Sequence, residues 1–388
     1  MVRYLPLVVK NSLRNRRRTV LTILSIGASL CLLGLLLAMY HALFMAEPTP
    51  AQALRLITHH KVSLANLMPV AYRERIKSVP GVVEVMTDQW FGGSYRDARD
   101  PKNFFARFAI EPARFFTIHP EIQLPQEQKH AFQTQRTACI AGKDLAEKFG
   151  WKLGERITIV GDIFPVTLDL TLVGIYDDAS ENSNLYFNQD YVYEGLPATS
   201  KVKDLAGTFQ ILADNPADVP RIARAVDAMF ENAPEPTKTE TEQAFQLSFI
   251  SFLGNVKAFL FLIFGAVTFT TLLVSANTIA MSVRERIREV GILKTLGYTN
   301  HSILGIILGE ATVISLLGGA LGLLLAEGLA AGIRSGPAYV QSLKTMTIGP
   351  GVGALSLALA IFIGLISALI PAWNAARTSI LDSLRYSG

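Results

Sequence analysis

Val283-Arg-Glu-Arg-Ile-Arg-Glu-Val-Gly-Ile-Leu-Lys-Thr-Leu-Gly-Tyr298 lies between two long apolar runs, and the fold can be worked outward from that position. Val283, Ile287, Val290, Leu293 and Leu296 recur every three or four residues, the period of one helical face. Arg284, Glu285, Arg288, Glu289 and Lys294 occupy the other faces. A short charged helix held between two membrane spans is suited to carrying force from a soluble partner into the bilayer. An ordinary positive loop that fixes topology is the alternative, and charge count alone does not separate the two.

A bilayer core of about 30 Å needs roughly 20 apolar residues in a helix. Four segments qualify, at 20–40, 257–282, 303–333 and 352–371. The third is long enough to tilt or to extend past the bilayer, but too short to cross twice. Lys and Arg collect before the first span (Arg3, Lys10, Arg14, Arg16, Arg17, Arg18), between the second and third (Arg284, Arg286, Arg288, Lys294) and after the fourth (Arg377, Arg385). The 334–351 loop has only Arg334 and Lys344. The positive-inside rule therefore places segments 1–19, 283–302 and 372–388 in the cytoplasm, with 41–256 and 334–351 outside. The net charge of +4 reports this topology and not a nucleic-acid partner, since no basic run is interleaved with aromatics. Arg17-Arg-Thr-Val-Leu21 touches a twin-arginine pattern, so a cleaved signal is an alternative reading of the N-terminus. The apolar run is too long and too leucine-rich for a signal core, and Tyr40 to Pro48 offers no small-x-small site; a retained anchor fits better.

Arg286, Arg288, Glu289, Val290, Gly291, Ile292, Leu293, Lys294, Leu296 and Gly297 fill a pattern close to R-x-R-E-[IV]-G-I-L-[RK]-x-[LT]-G. With Ser275-Ala-Asn277 before it and Ile303 to Glu310 after it, this stretch resembles the core motif of the FtsX and MacB family of ABC-transporter permeases. The tail Pro371-Ala-Trp-Asn-Ala-Ala-Arg-Thr-Ser-Ile-Leu-Asp-Ser-Leu-Arg385 resembles that family's closing motif, departing from it at Ile380, where proline is usual, and at Ser383, where alanine is usual. The resemblance implies a four-helix membrane domain with a MacB-type α+β extracytoplasmic domain inserted between helices 1 and 2. It also implies a bacterial inner-membrane location, with both termini cytoplasmic. Arg284, Arg286, Arg288, Glu289, Gly291, Leu293, Lys294 and Gly297 are then the residues that couple to a separate cytoplasmic ATPase. Replacing Glu289 and Gly291 is expected to uncouple that ATPase while the permease stays folded. ATP and Mg are expected on the partner and no cofactor on this chain. A second permease chain, identical or paralogous, and a periplasmic adaptor or lipoprotein complete the implied assembly.

Between the first two spans, charged residues and prolines return. Short alternating runs suggest strands at Val82 to Thr87, Phe104 to Ile110, Arg156 to Val160, Val166 to Tyr176 and Phe209 to Ala213, and helices near Ala71 to Ser78, Lys143 to Lys148 and Val219 to Asn232. Gly154, Gly161 and Gly174 read as turn or bulge positions. Ala141 to Glu155 resembles a small strand-rich insertion of MacB-type ectodomains. Asn232 to Thr241 reads as a flexible connection, and Phe245 to Leu253 as the start of a helical stalk into the membrane.

The search for chemistry is mostly negative. Gly142-Lys143 is followed by Asp144, and no glycine stands five residues before Gly142, so there is no phosphate cradle of the Walker A kind. Hence no ATP hydrolysis is expected from this chain, nor any enzymatic activity of its own. Neither His-Glu-x-x-His nor Cys-x-x-Cys spacing occurs. His59 and His60 are adjacent and read as solvated loop residues. Cys31 lies in a span and Cys139 in the ectodomain, which rules out an intrachain disulfide.

Charges inside apolar runs are costly and are often functional. Lys257 can snorkel at the outer interface. Glu310 lies about two turns into the third span, where the family often carries glutamate, and can accept hydrogen bonds from a neighbouring helix or the coupling segment. Glu327 is near the outer end. Gly318, Gly319 and Gly322 give that span a small-residue face, suited to packing within one protomer or between two. Pro371 opens the closing motif.

Three functional classes stand side by side: the permease half of an export or extraction machine driven by mechanotransmission, an FtsX-like regulator of a cell-wall hydrolase, and a membrane enzyme or channel. The last lacks a catalytic constellation and leaves the 286–297 motif without a purpose. The long ectodomain suits the first better than the second.

Overall fold

A computed structural model describes residues 16–45, 48–178, 182–197, 199–252, 255–335 and 346–379. Arg3, Lys10, Arg14, Lys344, Ile380, Ser383 and Arg385 lie outside them. Two compact units separate: four long helices, and the sheet domain built from 47–252.

The chain begins with α1 (Arg16–Phe44) and enters the sheet domain through β1 (Arg55–His60). Then follow β2 (Met68–Pro69), α2 (Tyr72–Lys77), β3 (Val82–Trp90), β4 (Ala106–Ile110), α3 (Pro112–Ile118) and α4 (Gln126–Thr134). β5 (Ala138–Gly142), α5 (Lys143–Phe149), β6 (Arg156–Val160), β7 (Thr167–Tyr176), β8 (Asn184–Asn188) and α6 (Gln189–Gly195) come next. β9 (Leu205–Ala206), β10 (Thr208–Ala213), α7 (Val219–Phe230), β11 (Thr237–Thr241) and α8 (Glu242–Phe252) complete the domain.

Nine of the strands form one mixed sheet in the order β11-β1-β10-β3-β4-β8-β5-β7-β6. Only β4 with β8 and β5 with β7 run parallel. Alternation sets the faces: in β10, Phe209, Ile211 and Ala213 are buried and the residues between them half-buried. In α7, Val219, Ile222, Val226 and Phe230 form the buried stripe that covers β1, β3 and β10. A second core gathers Phe91, Trp151, Leu168, Leu172 and Phe187 under β5 to β8. Cys139 is fully buried there, and Cys31 is buried in α1; neither forms a disulfide.

Four expectations are corrected. His59 and His60 are not solvated: they are 8% and 4% exposed inside β1, where His59 Nε2 lies 3.2 Å from Glu240 and His60 Nε2 3.0 Å from Glu235. Carboxylates from a distant segment supply the polar partners that burial of these rings requires. Thr237 to Thr241 is a paired strand, β11, aligned Leu56↔Thr241 to His60↔Thr237 against β1. Residues 141–155 hold helix α5 and a turn, not a strand-rich insertion, and β5, β6 and β7 belong to the main sheet. The apolar run after Phe245 does not continue into the membrane as one helix. α8 ends at Phe252, and the next helix starts afresh with the Asn255 side chain accepting from the Ala258 N–H.

That helix is α9 (Val256–Glu285), followed by α10 (Ile287–Thr295), α11 (Asn300–Ser335) and α12 (Pro350–Arg377). α1, α9, α11 and α12 are each long and apolar enough to span a bilayer. α11 packs along both α1 and α12. A Cβ at Gly322 would lie 2.7 Å from Gly27 O and 2.9 Å from Cys31 N, and one at Gly318 2.7 Å from Ile26. One at Gly319 would meet Ala360 at 2.9 Å. The small-residue face of α11 is thus filled inside the chain by α1 and α12. Pro371 sits within α12. At the far end of α11, Glu327 pairs with Arg334 at 2.8 Å and is 47% exposed. Lys257 Nζ lies 5.9 Å from the centre of the Tyr40 ring.

Candidate functional site

The segment 283–302, expected as one short helix, is divided in three. Val283 to Glu285 close α9. Arg286 leaves helical geometry at φ −107° and ψ 13°, and α10 starts at Ile287. α10 ends in a left-handed turn at Gly297, φ +87°. There the Tyr298 N–H donates to Leu293 O and the Gly297 N–H to Lys294 O, both at 3.1 Å, the double closure of a Schellman motif. Glycine is favoured there because a side chain at positive φ is strained.

Two polar clasps hold α10 against the bundle. Arg286 Nη1 donates to both oxygens of Glu310 on α11, at 2.9 and 2.8 Å, with the side chains 23% and 14% exposed. Lys294 Nζ donates to Thr378 O at 2.6 Å, just past α12. Between them Val290 packs on Ile303 and Ala376. The three contacts bind α10 to α11 and to the end of α12, so α10 is part of the bundle and not a loose loop.

The outward side of α10 is different. Arg288, Ile292 and Leu296 follow one another at intervals of four residues and all are exposed, Ile292 by 52% and Leu296 by 71%; Arg284, before the break at Arg286, is exposed at the end of α9. Residues four apart lie on one helical stripe. Leu296, assigned by period to the buried face, is exposed because it caps α10 where the backbone is already turning. Gly291 is buried beside Val290, and Glu289, Leu293 and Lys294 are half-buried. Of the residues expected to couple, Arg284, Arg288 and Gly297 therefore face outward, whereas Arg286 and Lys294 hold the helix in place. Ile292 and Leu296 were not among those expectations, although the four-residue spacing in the sequence carries the signal.

Behind α10 a cavity of about 270 Å³ opens among α1, α9 and α11, lined by Thr19, Thr22, Ser282, Glu285, Glu289 and the Arg286–Glu310 pair. α10 is thus tied to the bundle on its inner side and presents a mixed basic and apolar outer face.

A second buried polar network lies in the sheet domain. Arg55, 3% exposed, donates to Glu121 and to Glu242 at 2.6 Å each. His119 bridges Glu121 at 3.2 Å and Gln210 at 2.7 Å, and Gln210 Nε2 donates to Asp88 at 2.6 Å. Burial pushes Asp88 up to about 6. Burial opposes ionisation of Glu121 too, but His119 and Arg55 outweigh it and hold that carboxyl below its usual value.

The MacB-like periplasmic core domain matches residues 19–229, and the FtsX-like permease C-terminal domain residues 244–380. The chain belongs to the FtsX- and MacB-like family of ABC transporter permeases, multi-pass membrane proteins with an α/β domain between helices 1 and 2. An uncharacterized ABC transporter permease of Methanocaldococcus jannaschii is 27% identical over 80% of this chain and 77% of its own length. The macrolide export ATP-binding/permease protein MacB of Chromobacterium violaceum is 35% identical over 28% of this chain, and the match spans only 16% of that longer protein. The extracellular domain of YknZ from Gram-positive bacteria aligns with 48% of this chain and 99% of that domain, at a TM-score of 0.35 and 15% identity.

Proposed function

We propose that this chain is the membrane subunit through which a separate cytoplasmic ABC ATPase moves the extracytoplasmic domain, driving export or extraction of a periplasmic or membrane-borne substrate. The supporting observation is α10: outward it offers Arg288, Ile292 and Leu296, with Arg284 exposed at the end of α9 before it, and inward it is tied to α11 through Glu310 and to the end of α12 through Thr378. A soluble protein seated on these residues gains apolar burial from Ile292 and Leu296 and charge contacts from the arginines. Its motion passes to two long helices at once. ATP and Mg reside on the partner, the permease works as a pair, and the cytoplasmic side of an inner membrane carries α10 and both termini.

The test is co-purification with the ATPase from native membranes, together with ATPase stimulation after reconstitution. Arg288→Glu with Ile292→Glu changes only exposed side chains, so the permease should remain folded while ATPase recovery and stimulation both fall by at least about tenfold. Undiminished recovery and stimulation in a variant with wild-type melting behaviour would overturn the docking role. A cell-wall hydrolase retained with the ATPase, in place of an adaptor or lipoprotein, would move the reading to an FtsX-like regulator.

A further inference from the structure

The two histidines that end β1 are both buried, yet their hydrogen bonds require different numbers of protons. His60 Nδ1 receives the Val62 N–H at 3.1 Å and lies 3.3 Å from the Asn66 amide nitrogen, while its Nε2 lies 3.0 Å from Glu235. One ring proton, on Nε2, satisfies all three contacts. His59 is placed otherwise. Its Nδ1 is 2.9 Å from His60 O and its Nε2 3.2 Å from Glu240 Oε1, so both nitrogens meet oxygen. A neutral imidazole carries one N–H and one lone pair; in either tautomer a lone pair would oppose an oxygen in a buried setting. Glu240 does not relieve this by taking up a proton. Burial opposes its ionisation, but Lys238, at 2.7 Å, and His59 outweigh burial and hold that carboxyl below its usual value. The imidazolium is the form of His59 that completes both bonds.

These bonds sit where α8 lies on the sheet. Arg55, Ile57 and His59 share one face of β1, and α8 meets that face at three points. Glu242 takes Arg55, the Phe245 ring lies 5.5 Å from the His59 ring, and Ser248 Oγ lies 3.2 Å from the same Glu240 oxygen that His59 holds. We propose that His59 is a proton-operated latch: charged, it holds Glu240 of β11 against α8 and keeps the helix on the sheet, and on losing its proton it frees Glu240 and the turns of α8 from Phe245 onward. The docked helix retains one more proton than the released one, so docking is full in acid and weakens as pH rises through the histidine range, about 5 to 8. The other charges on this face limit the release. Lys238 is 48% exposed and keeps Glu240 ionised. Arg55, between Glu121 and Glu242, does not titrate in this range, so the first turn of α8 stays attached. His119 and Asp88 lie further along the face, joined to α8 through Glu121 and Arg55. Since α8 is the last element before α9, the latch makes the lead into the second span respond to the acidity around the sheet domain. Its effect on ATP-driven work rests on the coupling reading, whereas the latch itself does not.

The test is amide hydrogen exchange on the full-length protein in lipid nanodiscs, with neither ATPase nor nucleotide present, at about pH 5.5 and about pH 8 and corrected for the intrinsic pH dependence of exchange. Protection of 245–252 should fall at least about tenfold between the two, as expected for one lost charge-assisted hydrogen bond, while protection in α7 stays unchanged. Glu240→Gln offers an amide N–H to the neutral ring and should leave 245–252 equally protected at both pH values. His59→Phe keeps the bulk of the ring without either bond and should hold the segment at its alkaline level throughout. Asp88→Asn removes another titrating group on this face and should leave the response of α8 intact. Equal wild-type protection at the two pH values, a full response surviving in Glu240→Gln, or a response abolished by Asp88→Asn would each overturn the latch. With no ATPase in the sample, none of these outcomes depends on the docking role of α10.

Discussion

Breaking the Arg286–Glu310 clasp gives asymmetric results that can be worked out from exposure. Arg286→Met removes the cation that holds both oxygens of the Glu310 carboxylate, which is 14% exposed, and breaking a buried pair from that side costs up to about 3–5 kcal/mol. Glu310→Gln leaves Arg286, which is 23% exposed and has more access to water. That variant should cost about 1.5–3 kcal/mol, the range for a lost charge-assisted hydrogen bond. The double variant removes both charges and should cost less than the sum, leaving a coupling energy of about 1–3 kcal/mol. The assay is a thermal-melt double-mutant cycle in one detergent, paired with ATPase stimulation in the reconstituted complex. Arg286→Met should lower the melting temperature by roughly 10 °C and reduce stimulation more than Glu310→Gln. Strict additivity of the two single variants would refute the clasp. So would unchanged stimulation in Arg286→Met, which would mean that α10 needs no brace.

Three further outcomes follow from close contacts and burial. Gly322→Leu should separate α1 from α11, because its Cβ already meets backbone at Gly27 and Cys31, and should cost at least about 1–3 kcal/mol; Gly328→Ala, with nothing within 4 Å, should be neutral or slightly stabilising, and fluorescence-detected size exclusion tells the two apart. Gly297→Val places a β-branched residue at φ +87°, costing about 1–2 kcal/mol; its ATPase stimulation should fall further than its melting temperature, since the strain is local to the end of α10. Asp88, raised from 3.8 to about 6 by burial, favours the protonated form in the fold, so its contribution to stability is full below about pH 4 and is lost as pH rises through 6, by about 3 kcal/mol. Asp88→Asn should therefore melt above the wild type at pH 7.5, by a margin that shrinks toward pH 4, and a margin that grows on acidification would contradict this.

The membrane half was readable because bilayer thickness imposes a length that no soluble element mimics: α1, α9, α11 and α12 all coincide with apolar runs. Strands with clean alternation, such as Arg156–Val160 and Thr208–Ala213, were readable for a similar local reason. β1 was not. Its Arg55, His59 and His60 carry the polarity of a loop, and they become interior residues only through Glu242, Glu240 and Glu235, almost two hundred residues later. β11, five polar residues after two prolines, is a strand only because β1 lies beside it. The break at Arg286 was hidden because helical period continues across it, whereas the bond to Glu310 that fixes it is tertiary.

The pairing of β1 with β11 has a mechanical consequence. The chain enters the domain at Arg55 and leaves it at Thr241, and these residues lie at the same end of one antiparallel ladder, with Leu56 opposite Thr241. Tension applied between the two leads would act on that end first, peeling the rungs in succession rather than loading them together in shear. Arg55, gripping Glu242 just beyond the last rung and Glu121 behind it, sits where such a tear would start. A domain attached in this way can be tugged repeatedly only if that rivet holds, and its strength sets how much pull the sheet can bear before the ladder opens.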